Sequence, residues 1–155
     1  MTFRITGLDP RPFAPLFALT DADLADRRAR RVTATSDRGF PCRVSLADAA
    51  AGEQLILLHH VSHDVATPYR SAYAIYVRCG ARQTEYVGRL PPVFEGRPLG
   101  LRGFAADGML RDARLALPGE AAAQIGALFA NGDIAYIHAH WAAYGCFAAK
   151  VERQA

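Results

Sequence analysis

The stretch Tyr136-Ile137-His138-Ala139-His140-Trp141-Ala142-Ala143-Tyr144-Gly145-Cys146-Phe147 reads as a strand, a tight turn and a returning strand. It commits the end of the chain to a β-hairpin, over residues 134–141 and 146–152. It also holds two of the five histidines, the only tryptophan and one of the three cysteines. In a strand, His138 and His140 share one face with Ile134 and Tyr136. Ala135, Ile137, Ala139 and Trp141 share the other and look like core. The turn decides where Cys146 goes. A three-residue loop with Gly145 left-handed puts Cys146 on the histidine face, and a two- or four-residue loop puts it on the tryptophan face. Gly145 suits a left-handed position, which favours the first.

The rest of the chain supplies partners for that hairpin. Residues 3–8 alternate and can start a sheet. Phe13, Leu16 and Phe17 have helical spacing. Thr20 caps a helix over 21–28, whose acidic first turn and basic end suit the helix dipole. Residues 31–35 form a β-branched run, and Ser45 can cap a short helical turn through Asp48 that ends near Gly52. Residues 53–61 contain Leu55-Ile56-Leu57-Leu58, an apolar run for a central strand buried on both faces. Residues 72–77 form its neighbour. Asp107-Gly108 joins two strands, over 99–105 and 109–117. A helix over 120–130, with Ile125, Leu128 and Phe129 as its buried stripe, ends at a left-handed Asn131-Gly132 cap. Strands are not alternating with helices as in βαβ units. The fold class is therefore α+β, one globular domain over residues 1–155, with a mostly antiparallel sheet, two or three short helices and a C-terminal β-hairpin.

A chain with 51% hydrophobic and 21% charged residues has ample core for 155 residues. No apolar run approaches the ~20 residues of a membrane span, and the first apolar stretch is broken by Pro10, Pro12 and Pro15. Cys42, Cys79 and Cys146 cannot all pair within one chain, so a reducing, cytoplasmic compartment is expected. The net charge of +3 is carried almost wholly by scattered arginines. The one cluster, Arg27-Arg28-Ala29-Arg30-Arg31, reads as the end of a helix. Neither nucleic acid nor a membrane is an expected partner.

Three kinds of chemistry can be placed on these residues. The first is an anion pocket, with Arg43, Tyr69 and Arg70 as ligand-binding residues, His138 and His140 as donors or acid–base groups, and Cys42 beside them. Arginine suits capture of carboxylate or phosphate. The second makes Cys42 a nucleophile, stiffened by Pro41, flanked by the Arg43 cation and served by His138 or His140 as base. The third is a metal site from His138, His140 and Cys146; the spacing is not that of a zinc finger, and two or three ligands are few. A structural or interaction protein, using an aromatic surface around Tyr136 and Tyr144, is the remaining reading. His59, His60 and His63 cannot all share one strand face and are taken as solvent or loop histidines. No substrate, cofactor or oligomeric state follows from the residues.

Gly39-Phe40-Pro41-Cys42-Arg43-Val44-Ser45-Leu46, Thr67-Pro68-Tyr69-Arg70 with its following strand, and His138-Ala139-His140 through Gly145-Cys146-Phe147 resemble the bacterial family catalogued as domain of unknown function 1203. The likeness covers nearly the whole chain. Ser71-Ala72-Tyr73-Ala74-Ile75-Tyr76-Val77-Arg78 departs from the Ser-x-Gly-Pro-Ile-Phe-Val-Arg form of that family. The resemblance implies a bacterial, single-domain protein of unknown function, and it implies no activity.

Overall fold

Two antiparallel sheets carry the chain, and they meet along the C-terminal hairpin. The structure, a computed structural model, describes residues 2–155. Its elements are β1 (Thr2–Thr6), α1 (Asp21–Asp26), β2 (Ala29–Thr33), β3 (Gln54–His63), β4 (Ser71–Arg78), β5 (Glu85–Val87), β6 (Leu99–Phe104), β7 (Leu110–Ala116), α2 (Ala121–Phe129), β8 (Tyr136–Trp141) and β9 (Phe147–Gln154). Short 3-10 helices lie at Ala14–Ala18 and Pro92–Phe94. The larger sheet has the order β5-β1-β9-β8-β6-β7, and the smaller has β2-β3-β4. This is the α+β, mostly antiparallel architecture that the periodicities require.

The larger sheet buries one face under α2. Ile125, Leu128 and Phe129 pack with Leu99, Leu101, Ile137, Ala139, Trp141 and Val151. Those positions are every second residue of their strands, which is why strand alternation locates the core. In the smaller sheet β3 is central. Leu55 and Ile56 point to opposite faces and both are fully buried. Thr20 caps α1 by accepting from the Asp23 amide at 3.1 Å, as a threonine before an acidic first turn should.

Three local details differ from the reading of the sequence. α2 ends at Ala130, which keeps right-handed helical geometry. Its carbonyls are satisfied by the Ala130 and Asn131 amides rather than by a left-handed glycine. Residues 45–48 form no helical turn. Instead Pro41 and Asp48 bridge as a miniature hairpin, closed by Cys42 N–H to the Ala47 carbonyl and Leu46 N–H to the Cys42 carbonyl. That turn holds Leu46 at φ +53, a conformation that costs ~1 kcal/mol per residue, and Leu46 is fully buried in the main core. His63 is not a loop histidine: a register shift between Val61 and His63 extends β3 and turns His63 inward, 4% exposed.

The segment 41–48 ties the two sheets together. Cys42 bridges Tyr76 of β4 in parallel, and the Arg43 amide donates to the Tyr76 carbonyl. On the other side the Leu8 amide donates to the Arg43 carbonyl. No helix in the described residues is long and apolar enough to cross a membrane.

Candidate functional site

A cavity of about 610 Å³ opens where the segment 38–43, β4 and the β8–β9 turn come together. Its wall is mostly apolar: Pro41, Leu57, Tyr76, Pro98, Trp141 and Ala142 contribute, and the largely exposed Tyr144 belongs to it as well. Three cations, Arg38, Arg43 and Arg97, also line it, and no aspartate or glutamate does.

Arg43 is the centre of this arrangement. It is 2% exposed. Its Nε donates to the Phe147 carbonyl at 2.7 Å, its Nη1 to the Pro41 carbonyl at 2.6 Å, and its Nη2 to Cys146 Sγ at 3.2 Å. The guanidinium carbon sits 5.7 Å from the centre of the Trp141 ring, within cation–π range. Among the described residues no carboxylate forms an ion pair with it. Burial works against its charged form, and the neighbouring sulfurs of Cys146 and Cys42 work for it. A guanidinium stays protonated in proteins, so the charge remains and is only partly compensated.

Arg97 differs. It makes a two-pronged bond to Asp48, at 2.9 and 2.8 Å, and donates to the Val93 carbonyl. Burial raises the Asp48 carboxyl, but the Arg97 bonds outweigh that and hold it below the usual carboxylate range. Arg97 also lies 5.3 Å from the Trp141 ring centre. Arg38 donates to the Glu95 carbonyl and has no carboxylate ion pair among the described residues.

The hairpin turn is what brings Cys146 here. Gly145 is left-handed, φ +78, as expected. The loop, however, has four residues. Trp141 N–H donates to the Cys146 carbonyl at 3.0 Å, and Gly145 N–H to the Trp141 carbonyl at 2.8 Å. Cys146 therefore pairs with Trp141 and joins the tryptophan face, not the histidine face. Phe147 then pairs with His140, after which a register shift precedes Ala149.

Of the residues expected to wall one pocket, Arg43 does so and the others do not. Cys42 is fully buried beside Ile75, Val77 and Phe13, and its sulfur accepts from the Arg78 and Ser45 amides. Successive residues of an extended segment point to opposite sides, so Arg43 in the cavity sends Cys42 into the core. Arg70 is exposed and paired with Asp64 at 2.9 Å. Tyr69 packs its ring on Phe104 and gives its carbonyl to His63.

His138 and His140 belong to a second cluster on the opposite face of β8. His63 Nδ1 donates to the Tyr69 carbonyl at 2.8 Å, which fixes the tautomer, so Tyr136 Oη donates to His63 Nε2 at 2.7 Å. His138 packs edge-on against His63, Phe104 and Phe147. Its Nδ1 is buried without a partner among the described residues. His140 Nδ1 donates to the Gly145 carbonyl at 2.9 Å, which pins the end of the turn. Tyr136 is engaged in this cluster through His63, whereas Tyr144 lies in the turn after β8 and is largely exposed. Among the described residues no three His, Cys, Asp or Glu side chains are grouped to hold a metal ion, which removes the site from His138, His140 and Cys146.

His138 and His140 are held neutral. Burial pushes His138 down to about 3, helped by His63, His140, Lys150 and Arg102. Burial pushes His140 down to about 4; the Gly145 bond opposes this, while Arg102, His63 and Arg43 add to it. A histidine depressed in the native state takes up its proton first in the unfolded chain. Its stabilising effect is complete above pH ~6.5 and is lost as the pH falls toward the native values. Urea unfolding should therefore show a loss of about 2 kcal/mol per histidine between pH 7 and pH 5. In His138→Phe, which suits the aromatic surroundings, one of the two shares should vanish. An unchanged pH slope would contradict a neutral His138.

Sequence reasoning passed over Arg38, Arg97 and Tyr76 as site residues, and it took Trp141 for core alone. Trp141 is 5% exposed and does belong to the core, yet its edge also walls the cavity. The Arg97–Asp48 pair spans forty-nine positions and leaves no local signal.

The family profile described as a protein of unknown function, DUF1203, matches residues 39–153, and the chain belongs to that family. The match begins at Gly39, so it takes in the cavity residues except Arg38 and leaves out β1, α1 and β2. No curated protein and no solved structure matches the chain.

Proposed function

We propose that this member of the DUF1203 family binds a small anionic molecule with a flat apolar body, such as an aromatic carboxylate, in the cavity at Arg43. One observation carries the reading. A guanidinium that is 2% exposed sits in a cavity wall with no carboxylate ion pair among the described residues. Its five N–H donors exceed the three contacts it makes, so donors remain for a ligand. The aromatic wall at Tyr76 and Trp141 suits a planar body, and a pocket of 300–1,000 Å³ is the usual range for small molecules. Arg43 is the anchor, Arg38 adds positive potential, and Arg97 braces Trp141 and Asp48.

Cys42 and the histidines serve the site indirectly in this reading. Cys42 fastens the segment to β4, and His140 holds Gly145 and thereby the turn. The bacterial cytoplasm is the setting we favour, supported by three cysteines that stay unpaired.

The test is a melting-temperature screen with small carboxylates, phosphates and sulfates beside uncharged analogues of the same shape. A ligand that prefers the native state must raise the melting temperature. Anions with a planar ring should stabilise the protein, and their uncharged analogues should not. No stabilisation by any anion, or equal stabilisation by charged and uncharged analogues, contradicts the proposal.

A further inference from the structure

We infer that the occupant of the cavity is a short extended peptide with a free C-terminal carboxylate and an aromatic last residue, which pairs with an open stretch of the β4 edge. This rests on the anion site at Arg43 and names the class of molecule that fills it. β4 is the outermost strand of the smaller sheet, so β3 takes only one side of it. The His59 amide donates to the Arg28 carbonyl, so His59 and Leu57 turn their backbone groups toward β2. Their partners Ala74 and Tyr76 therefore aim their own amides and carbonyls away from the sheet.

Tyr76 is met on that side. Its carbonyl accepts from the Arg43 amide, and Cys42 bridges it in parallel. The chain before Cys42 does not follow the edge any further. Pro41 bridges Asp48 instead, and the Phe40 carbonyl accepts from the Ala49 amide. Ala74 and, by the period of two, Ala72 keep their outward backbone groups without a backbone partner among the described residues. Such an edge is a template for another extended chain. Tyr73, Ala74 and Tyr76 all line the cavity, so this stretch of edge opens into it.

Charge and direction choose the occupant. Arg38, Arg43 and Arg97 line the same cavity and no aspartate or glutamate does, so the end that enters is a carboxylate. Arg43 lies at the Tyr76 end of the open stretch. A peptide with its carboxylate on Arg43 therefore runs parallel to β4, with its chain reaching back along Ala74 and Ala72. It occupies the line that the segment before Cys42 leaves empty. Its last side chain then meets Tyr76 and Trp141, which suits a ring. The open edge is short and the cavity is about 610 Å³, which fits a di- or tripeptide rather than the tail of a protein.

Calorimetric titration compares 3-phenylpropanoate with acetyl-alanyl-phenylalanine, its C-terminal amide, and an analogue with ester oxygens in place of both amide nitrogens. The peptide acid should bind at least ~tenfold more tightly than 3-phenylpropanoate, and the ester analogue should lose that gain. Ala74→Pro removes the outward amide and sets a ring on the edge. The fold should tolerate it, because that amide makes no ladder bond and edge strands accept proline. The variant should bind 3-phenylpropanoate as the parent does and lose the advantage of the peptide. Equal affinity of the parent for the peptide acid and 3-phenylpropanoate would overturn the peptide and leave the anion site standing. An ester analogue as tight as the peptide would overturn the edge pairing, whether or not Ala74→Pro folds, and so would a folded Ala74→Pro that keeps the advantage. A C-terminal amide as tight as the acid, or no binding by any of the four, would remove the anion site and this inference together.

Discussion

Arg43→Met is expected to destabilise the native state by about 3 kcal/mol and to abolish anion binding. Two effects oppose each other in this substitution. Removing a buried cation with no carboxylate ion pair relieves a desolvation cost, and the methionine stem refills part of the volume. Against that, the Phe147 and Pro41 carbonyls lose their donors, and so does Cys146. Each buried carbonyl left without a donor costs about 1–3 kcal/mol, and bonds to a charged group are at the strong end. The loss should win because the bonds to Phe147 and Cys146 cross from the segment 41–48 to the start of β9. Arg43→Lys should fall between the parent and Arg43→Met in stability, since an ammonium keeps the charge but not the fork. Urea denaturation checks the order. A fully stable Arg43→Met would show that the guanidinium is no knot between the sheets.

Gly7→Ala is expected to cost about 3 kcal/mol, and to act through the same segment. A Cβ at Gly7 would fall 1.9 Å from the Val44 carbonyl oxygen and 2.8 Å from its carbon. Both are backbone atoms, so no side chain can rotate away. Either β1 or the segment 41–48 must move, and the Leu8 amide bond to the Arg43 carbonyl moves with it. Gly126→Ala provides the opposite sign in the same experiment. Gly126 lies on the exposed side of α2 with nothing within 4 Å of its added Cβ. Helix propensity alone should stabilise that variant by up to about 1 kcal/mol. If both variants melted like the parent, the close docking of 41–48 against β1 would be wrong.

The sheets were legible in the sequence because alternation is imposed by the strand itself. Ile137, Ala139 and Trp141 had to share a face, and the burial of that face under α2 follows. The turn after Trp141 was not legible. Gly145 is left-handed in a three- or a four-residue loop, so the glycine alone could not choose, and the choice moved Cys146 from the histidines to Arg43. His63 was misplaced for a related reason. A register shift after Val61 reverses the facing of the last residues of β3, and no residue type marks it.

Arg43 was found because Pro41 and the motif around it draw attention to the segment. Cys42 was drawn in with it and does not belong in the cavity, since neighbours on an extended chain face apart. The cations that complete the wall come from positions 38 and 97, and only the folded topology brings them into one cavity with Trp141.

Trp141 is the only tryptophan of the chain and walls the cavity, so indole fluorescence comes from this one position. Titrating the protein with small ring-bearing carboxylates, each beside its uncharged analogue, tests the anion site most directly. Trp141 emission should change saturably with the carboxylates, lose that response in Arg43→Lys and stay constant with the uncharged analogues. Emission that stays flat or drifts linearly with every anion, or that saturates equally in Arg43→Lys, would contradict an anion site at Arg43.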